Sequence, residues 1–225
     1  MSAHALQRTN VVTAPPPMRL VPGKRPSVDD LYPRLFDAIL EQRIVPTSRF
    51  TEEGLAEQFG VSRSVLRRVL ARLAEQQVII LRPNLRAQVA APDAQQVQHI
   101  LEARRLMEVT VVQLACAQAS PGQVRRLREL VARQRACVEQ GQQGPAIRLC
   151  GEFHLLLASI AGNRPLAQFL NSLVPLTSLV IAQQGAFAGT WREQSAMIEA
   201  LERRDGGTAV SLMTQHLDHL QAQLS

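Results

Sequence analysis

The sequence predicts a mainly α-helical chain, with a small N-terminal unit of three helices and a β-hairpin ahead of an all-helical bundle. Three observations predict it. Apolar residues recur three and four apart along most of the 225 residues, the spacing that stripes one side of a helix. One short stretch, 78–90, breaks that spacing with a β-branched run and a Pro-Asn turn signal. Hydrophobic residues make up 46% of the chain and aromatic ones only 4%, so aliphatic side chains must fill the core.

The same composition excludes several classes. A chain this apolar is not wholly disordered. No uninterrupted apolar run approaches the roughly 18 to 20 residues of a membrane span, so no membrane partner is expected. The start, MSAHALQRTN, lacks the charged head and apolar core of a secretory signal. The three cysteines (Cys116, Cys137, Cys150) are odd in number and form no CxxC, which argues against a disulfide framework and for a reducing cytoplasm. The net charge of +6 is unevenly placed: 13 Lys and Arg face 8 Asp and Glu up to Pro92, against 12 and 11 beyond it. A basic small unit joined to a near-neutral larger one suggests an anionic partner for the first, although a basic domain can also be merely soluble.

Residues 1–27 carry PPP at 15–17, then Pro22, Gly23 and Pro26, with no apolar period, and read as a flexible tail. Leu31, Leu35, Ile39 and Leu40 stripe a first helix that ends by Pro46. Ser27 and Asp30 look like a capping box of reversed polarity, which predicts a loose start. Thr51 caps a short second helix with Glu52 and Glu53 in its first turn, where the helix dipole favours acids, and Gly60 stops it. Ser62 caps a third, to about Gln76, striped by Leu66, Val69, Leu70 and Leu73. Val78 to Leu81 and Ala87 to Ala90 flank the Pro83-Asn84 turn as two strands, and Pro92-Asp93 marks a boundary. Beyond it lie six helices, about 93–119, 121–140, 145–161, 164–184, 190–204 and 206–224. The expected units are thus a tail at 1–27, a small domain at 28–91 and an all-α domain at 92–225.

Helix, tight turn, helix and hairpin make a winged helix-turn-helix. In TEEGLAEQFGVSRSVLRRVLARL the apolar stripe of the third helix turns inward, while Ser64, Arg67, Arg68 and Ala71 face outward and Arg63 lies at the N-terminal edge. That end of a recognition helix enters the major groove. Arginine donates two hydrogen bonds to guanine O6 and N7, or pairs with phosphate. Ser62 and Ser64 are small enough to let the backbone approach phosphate, and Arg82 and Arg86 flank the wing tip. Only Glu75 is near Arg67, Arg68 and Arg72 in sequence to neutralise them. Ser62, Arg63, Ser64, Arg67, Arg68, Arg82 and Arg86 are therefore the candidate DNA contacts.

LAEQFGVSRSVLRRVLARL followed by LRPN resembles the N-terminal domain of GntR-type regulators, which show an LAxxLGVSRxxVRxAL pattern and an Arg-Pro-Asn wing. The helical remainder resembles the ligand-binding domain of the FadR/FCD subgroup. The resemblance spans about 28–224. It implies a homodimer, a repressor in expectation, on a palindromic operator of double-stranded DNA, controlled by a small metabolite. Two positions depart from the pattern: Arg68 stands where the family usually has an acid, and the wing tip Asn84-Leu85-Arg86-Ala87 lacks the usual Gly.

In the helical part, polar residues sit on apolar stripes. Arg104 lies among Val97, Leu101, Met107, Val111 and Leu114. Cys150 and His154 lie with Phe153 and Leu157, Gln194 with Trp191, Ile198 and Leu201, and His216 with Met213, Leu217 and Leu220. Any one of these is more often a satisfied core residue, but four helices each aiming a polar group inward suggest a cavity. Arg104 is the candidate for an anionic group such as a carboxylate. Asn163, in a Gly-Asn turn, is a weaker candidate, and His219 is expected to be merely solvated. The FCD resemblance adds a possible divalent metal (zinc, nickel or manganese): His154 and His216 match two of the family's four ligand positions, while Cys150 and Gln194 stand where an Asp and a His are usual. Cys150 and His154 at i,i+4 could ligate zinc, whereas Gln is a weak ligand. The rival reading is a metal-free pocket in which Gln194, His154 and His216 hydrogen-bond the effector directly. Two other functions stay open on sequence: a metal-dependent hydrolase built on Cys150 and His154, and a ligand-independent architectural DNA-binding protein.

Overall fold

The computed structural model describes residues 26–46, 50–82, 86–185, 187 and 189–224, so most of the expected tail and the wing-tip residues 83–85 lie outside it. Helix α1 (Val28–Leu40) opens the small domain. Its start is firmer than the sequence suggested, because Ser27 and Asp30 close a full capping box: the Ser27 side chain accepts from the Asp30 N–H, and the Asp30 carboxylate accepts from the Ser27 backbone. Helix α2 (Glu52–Phe59) is capped by Thr51 and stopped by Gly60 at φ 65°, the left-handed conformation that the tight turn to the next helix requires. Helix α3 (Arg63–Glu75) is capped by Ser62, whose Oγ accepts from the Val65 N–H. Leu66, Val69, Leu70 and Leu73 are buried against α1 and α2. Strands β1 (Ile79–Ile80) and β2 (Gln88–Val89) pair antiparallel, Ile79 opposite Val89. They are shorter than the hairpin expected from 78–81 and 87–90.

Asp93 closes a second capping box with Gln96 and starts α4 (Ala94–Gln118). There follow α5 (Pro121–Glu139), α6 (Gln143–Ile160), α7 (Arg164–Gln184), α8 (Trp191–Glu202) and α9 (Gly206–Leu224). Helix α6 lies centrally, packed on α4, α5 and α7 and also on α1 of the small domain. Two glycines permit this. A Cβ at Gly151 would stand 2.8 Å from Ser178 Oγ on α7, and one at Gly144 would stand 2.7 Å from Glu41 Cγ just past α1. Helix α7 is long and apolar enough to cross a membrane, yet 56% of its most apolar 18-residue stretch is buried in the bundle, as suits a core helix.

Candidate functional site

The exterior of α3 is built as the sequence predicted. Ser62, Arg63, Ser64, Arg67 and Arg68 are all exposed, as are Arg82 and Arg86 beside the wing tip. Ser62 is also occupied as the helix cap. Glu75 is the one acid near Arg67, Arg68 and Arg72 in sequence, but in space the first-turn acids of α2 reach Arg63 and Arg67 across the turn. Glu53 pairs with Arg63, and Glu52 accepts from Arg67 Nε at 2.6 Å. Arg72 lies over the Tyr32 ring at 3.8 Å, and the Tyr32 hydroxyl donates to buried Gln76. These contacts fix the heel of α3 to α1.

In the bundle, four expected residues gather at one cavity. Arg104, Cys150, His154 and His216 line it with Ser178 and Thr190. Arg104 is buried, and its Nε donates to Glu108 Oε1 at 2.6 Å. The other Glu108 oxygen bonds His154 Nδ1. Burial alone would raise the Glu108 carboxyl; Arg104 and His154 outweigh it and hold the group well below the usual carboxylate range. The His154 and His216 rings stack with centroids 5.0 Å apart. His216 Nδ1 lies 2.6 Å from Glu193 Oε2, and His219 shares the same carboxylate at 3.0 Å. The bond with His216 chiefly holds the Glu193 pKa low. With each buried imidazole bonded through Nδ1, Nε2 is the atom left for a ligand.

Of the metal candidates, Gln194 is not among the cavity-lining residues, and Cys150 lines the cavity but is bonded to its neighbours. Gln194 Nε2 donates to the Cys150 carbonyl at 3.3 Å and to Cys150 Sγ at 3.4 Å, and Sγ lies 3.1 Å from Thr190 Oγ1. Those bonds engage Cys150 and Gln194 with each other. Among the described residues no three His, Cys, Asp or Glu side chains converge on one point. The set Cys150, His154, Gln194 and His216 therefore does not fit a zinc, nickel or manganese ion, even though carboxylates back both histidines as they would in a metal site. The carbonyl fixes the Gln194 amide with Nε2 toward it, and this leaves Gln194 Oε1 buried without a partner. Asn163 is also corrected: it is the α7 N-cap, its Oδ1 accepting from the Leu166 N–H, and is not among the cavity-lining residues.

The cavity is narrow, with about 20 Å³ of room for water centres, enough for one water. Its wall of Gly151, Val174 and Ser178 has a second side, where Tyr32 and Phe36 of α1 pack with Arg148. Arg148 grips Asp37 of α1 through Nε at 2.7 Å and Nη2 at 3.2 Å, and donates to Glu152 at 2.6 Å. One helix, α6, thus presents Cys150 and His154 to the cavity and Arg148 to the small domain.

Comparison with known proteins agrees with this two-part architecture. Residues 28–89 match the bacterial regulatory protein gntR family, and residues 99–219 match the FCD domain. The chain belongs to the GntR family. It is a DNA-binding transcription regulator with an FCD domain, and not an enzyme. This GntR regulator is 26% identical over 200 residues to the HTH-type transcriptional repressor RspR of Escherichia coli, covering 87% of this chain and 88% of that one. It is 24% identical over 194 residues to the Uxu operon regulator of Haemophilus influenzae, covering 77% and 72%. Among solved structures, its fold is similar to that of E. coli McbR/YncC (TM-score 0.71, 19% identity, 88% and 96% covered). A GntR regulator of Rhodococcus sp. RHA1 is also similar (TM-score 0.69, 20% identity, 88% and 96% covered).

Sequence reasoning missed Glu108 and Glu193. The signal for Glu108 was present: it stands four residues after Arg104 on the same buried stripe. Glu193 had none, since an acid in a first helical turn needs no partner to explain it.

Proposed function

We propose that this regulator is a cytoplasmic homodimeric repressor that binds a palindromic operator and responds to a small carboxylate-bearing metabolite held without a metal. The tail at 1–27, the DNA-reading unit at 28–91 and the effector and dimerisation unit at 92–225 are its working parts. Arg63, Ser64, Arg67 and Arg68 enter the major groove, with Ser62, Arg82 and Arg86 at the backbone. One recognition helix reads a half-site, so two copies are needed for a palindrome. The repressor sense is supported by the name of the E. coli relative.

The observation that carries the effector reading is the shared wall. Arg104, His154 and His216 line a cavity whose other side seats α1. Arg104 has donors beyond the one on Glu108 and offers a planar fork to a carboxylate. The two histidines offer Nε2, and Gln194, bonded to Cys150 through Nε2, keeps a buried Oε1 without a partner. Because the closed cavity holds only a water, a ligand of several atoms must displace its lining. A ligand that fits only the displaced form shifts the population toward it. Arg148 and Asp37 carry the displacement of α6 to α1, and the Tyr32 contacts with Gln76 and Arg72 carry it to α3.

The test is a thermal-shift panel of mono- and dicarboxylic acids, followed by operator binding. An acid that binds the folded chain raises its melting temperature and weakens operator binding. Arg104→Lys, which keeps the charge and loses the fork, should weaken both effects about tenfold or more, or about 1.4 kcal/mol. Full effects in Arg104→Lys, or no acid that shifts the melt, contradict the reading.

A further inference from the structure

We propose that Cys150 is a peroxide-reactive thiol, oxidised by a hydroperoxide to a sulfenic acid inside the bundle cavity. Helix α8 begins beside its sulfur. Thr190 is the N-cap residue of that helix, yet its side chain makes no cap bond. Threonine at such a position usually accepts from a backbone N–H of the first turn. Here Oγ1 lies 3.1 Å from Cys150 Sγ instead, and accepts from Gln134 Nε2 at 3.5 Å. With Gln134 donating to the oxygen, the hydroxyl proton is left to point at the sulfur. Gln194, one turn into α8, donates to Sγ through Nε2 at 3.4 Å. The sulfur therefore accepts two hydrogen bonds at the positive end of a helix. The thiolate is the nucleophilic form of cysteine, and such an anion finds both of its donors already in place.

The other two cysteines lack this setting. Cys116 Sγ donates to the Ala200 carbonyl at 3.8 Å, which holds it as a thiol, and burial pushes that thiol up. Cys137 is half-buried on α5 and is not among the residues that line the cavity. The cavity suits a small oxidant, since it has room for about one water and hydrogen peroxide is scarcely larger. In the reaction Sγ attacks one peroxide oxygen. An S–O bond forms and the O–O bond breaks. The sulfur gives up two electrons to the peroxide, and the released hydroxide takes the thiol proton and leaves as water. Arg104 lines the same cavity and has donors beyond the one on Glu108 to meet the departing oxygen. The product is answered as well. Gln194 Oε1 is fully buried without a partner, on the same amide that holds Sγ, and can accept from the new S–OH. This chemistry belongs to the sulfur and is separate from the carboxylate reading of the cavity.

The experiment adds hydrogen peroxide to the reduced full chain and quenches it in denaturant with excess dimedone, which traps sulfenic acids. The remaining thiols are alkylated, and the adducts are mapped by peptide mass spectrometry over time. Cys150 is expected to carry the first adduct, ahead of Cys116 and Cys137, and to form it several-fold faster in the folded chain than in urea. Cys150→Ser should lose that early adduct. Thr190→Val and Gln194→Met each remove one donor to the sulfur and should slow Cys150 several-fold, with the rate at Cys137 unchanged. Thr190 makes no cap bond, so Thr190→Val leaves the start of α8 intact, and circular dichroism checks both folds. A first adduct on Cys137 or Cys116, or a Cys150 rate no faster than in urea, overturns the proposal. A Cys150 rate unchanged in both variants overturns the part given to Thr190 and Gln194.

Discussion

On α3 the arginines stand in water; in the bundle Arg104 and Arg148 are buried against carboxylates. The pairs Arg63–Glu53 and Arg67–Glu52 are exposed on both sides, and such pairs are worth about 0 to 1 kcal/mol. DNA phosphate or guanine can replace those carboxylates at little cost to the fold. Arg104 and Glu108 are almost fully buried, and removing one member leaves a charge stranded at about 3 to 5 kcal/mol. The same side chain thus serves exchange in one place and fixed geometry in the other. Only the exposed set can be removed without disturbing the protein that carries it.

The largest expected effect breaks the buried set. Glu108→Gln should lower stability at pH 7 by about 3 to 5 kcal/mol, because Arg104 and His154 lose the charge between them. The acid limb checks the sign. A carboxyl whose folded pKa is depressed contributes stability above its unfolded pKa, about 4.3, and loses it as pH falls toward the folded value. Wild-type stability should therefore fall below about pH 5, and that limb should flatten in Glu108→Gln, as read by urea melts between pH 3 and 7. Next, Asp37→Asn should cost about 2 kcal/mol, less than a fully buried pair because the Asp37–Arg148 contact is at the domain seam. In the same variant an effector should lose influence over operator affinity while still binding its cavity. Smaller again, and confined to DNA, Arg63→Ala or Arg67→Ala should weaken operator binding by about 1 to 3 kcal/mol. Each should change the urea midpoint by no more than an exposed ion pair allows. Ser62→Ala should cost about 1 kcal/mol of folding stability through the lost cap.

The two regions also differ in how far they could be read from sequence. The DNA-reading unit is local: caps at Thr51 and Ser62, a stop at Gly60 and one apolar stripe fix α2 and α3 within about 25 residues. Its one surprise, the acids on Arg63 and Arg67, comes from a pairing across the turn that a single-helix reading ignores. In the bundle, the helical stripes brought Arg104, Cys150, His154 and His216 to one cavity, since each stripe must face the core. What the stripes could not show is which polar group answers which. Glu108 stands between Arg104 and His154, and Gln194 turns to Cys150 and away from a metal, only because α4, α6 and α8 meet there. Asn163 was misread because a Gly-Asn turn serves equally as a helix cap and as a ligand loop.

In the proposed function the exposed arginine face of α3 is the DNA-reading surface. It is tested most directly by operator affinity against salt, for wild type and Arg67→Ala, on a duplex selected from a random pool with the wild-type protein. Wild-type affinity should fall steeply with salt, and the variant should be weaker by about 5- to 150-fold, the equivalent of roughly 1 to 3 kcal/mol. Equal affinity and an equal salt slope in Arg67→Ala, and again in Arg63→Ala, would contradict it.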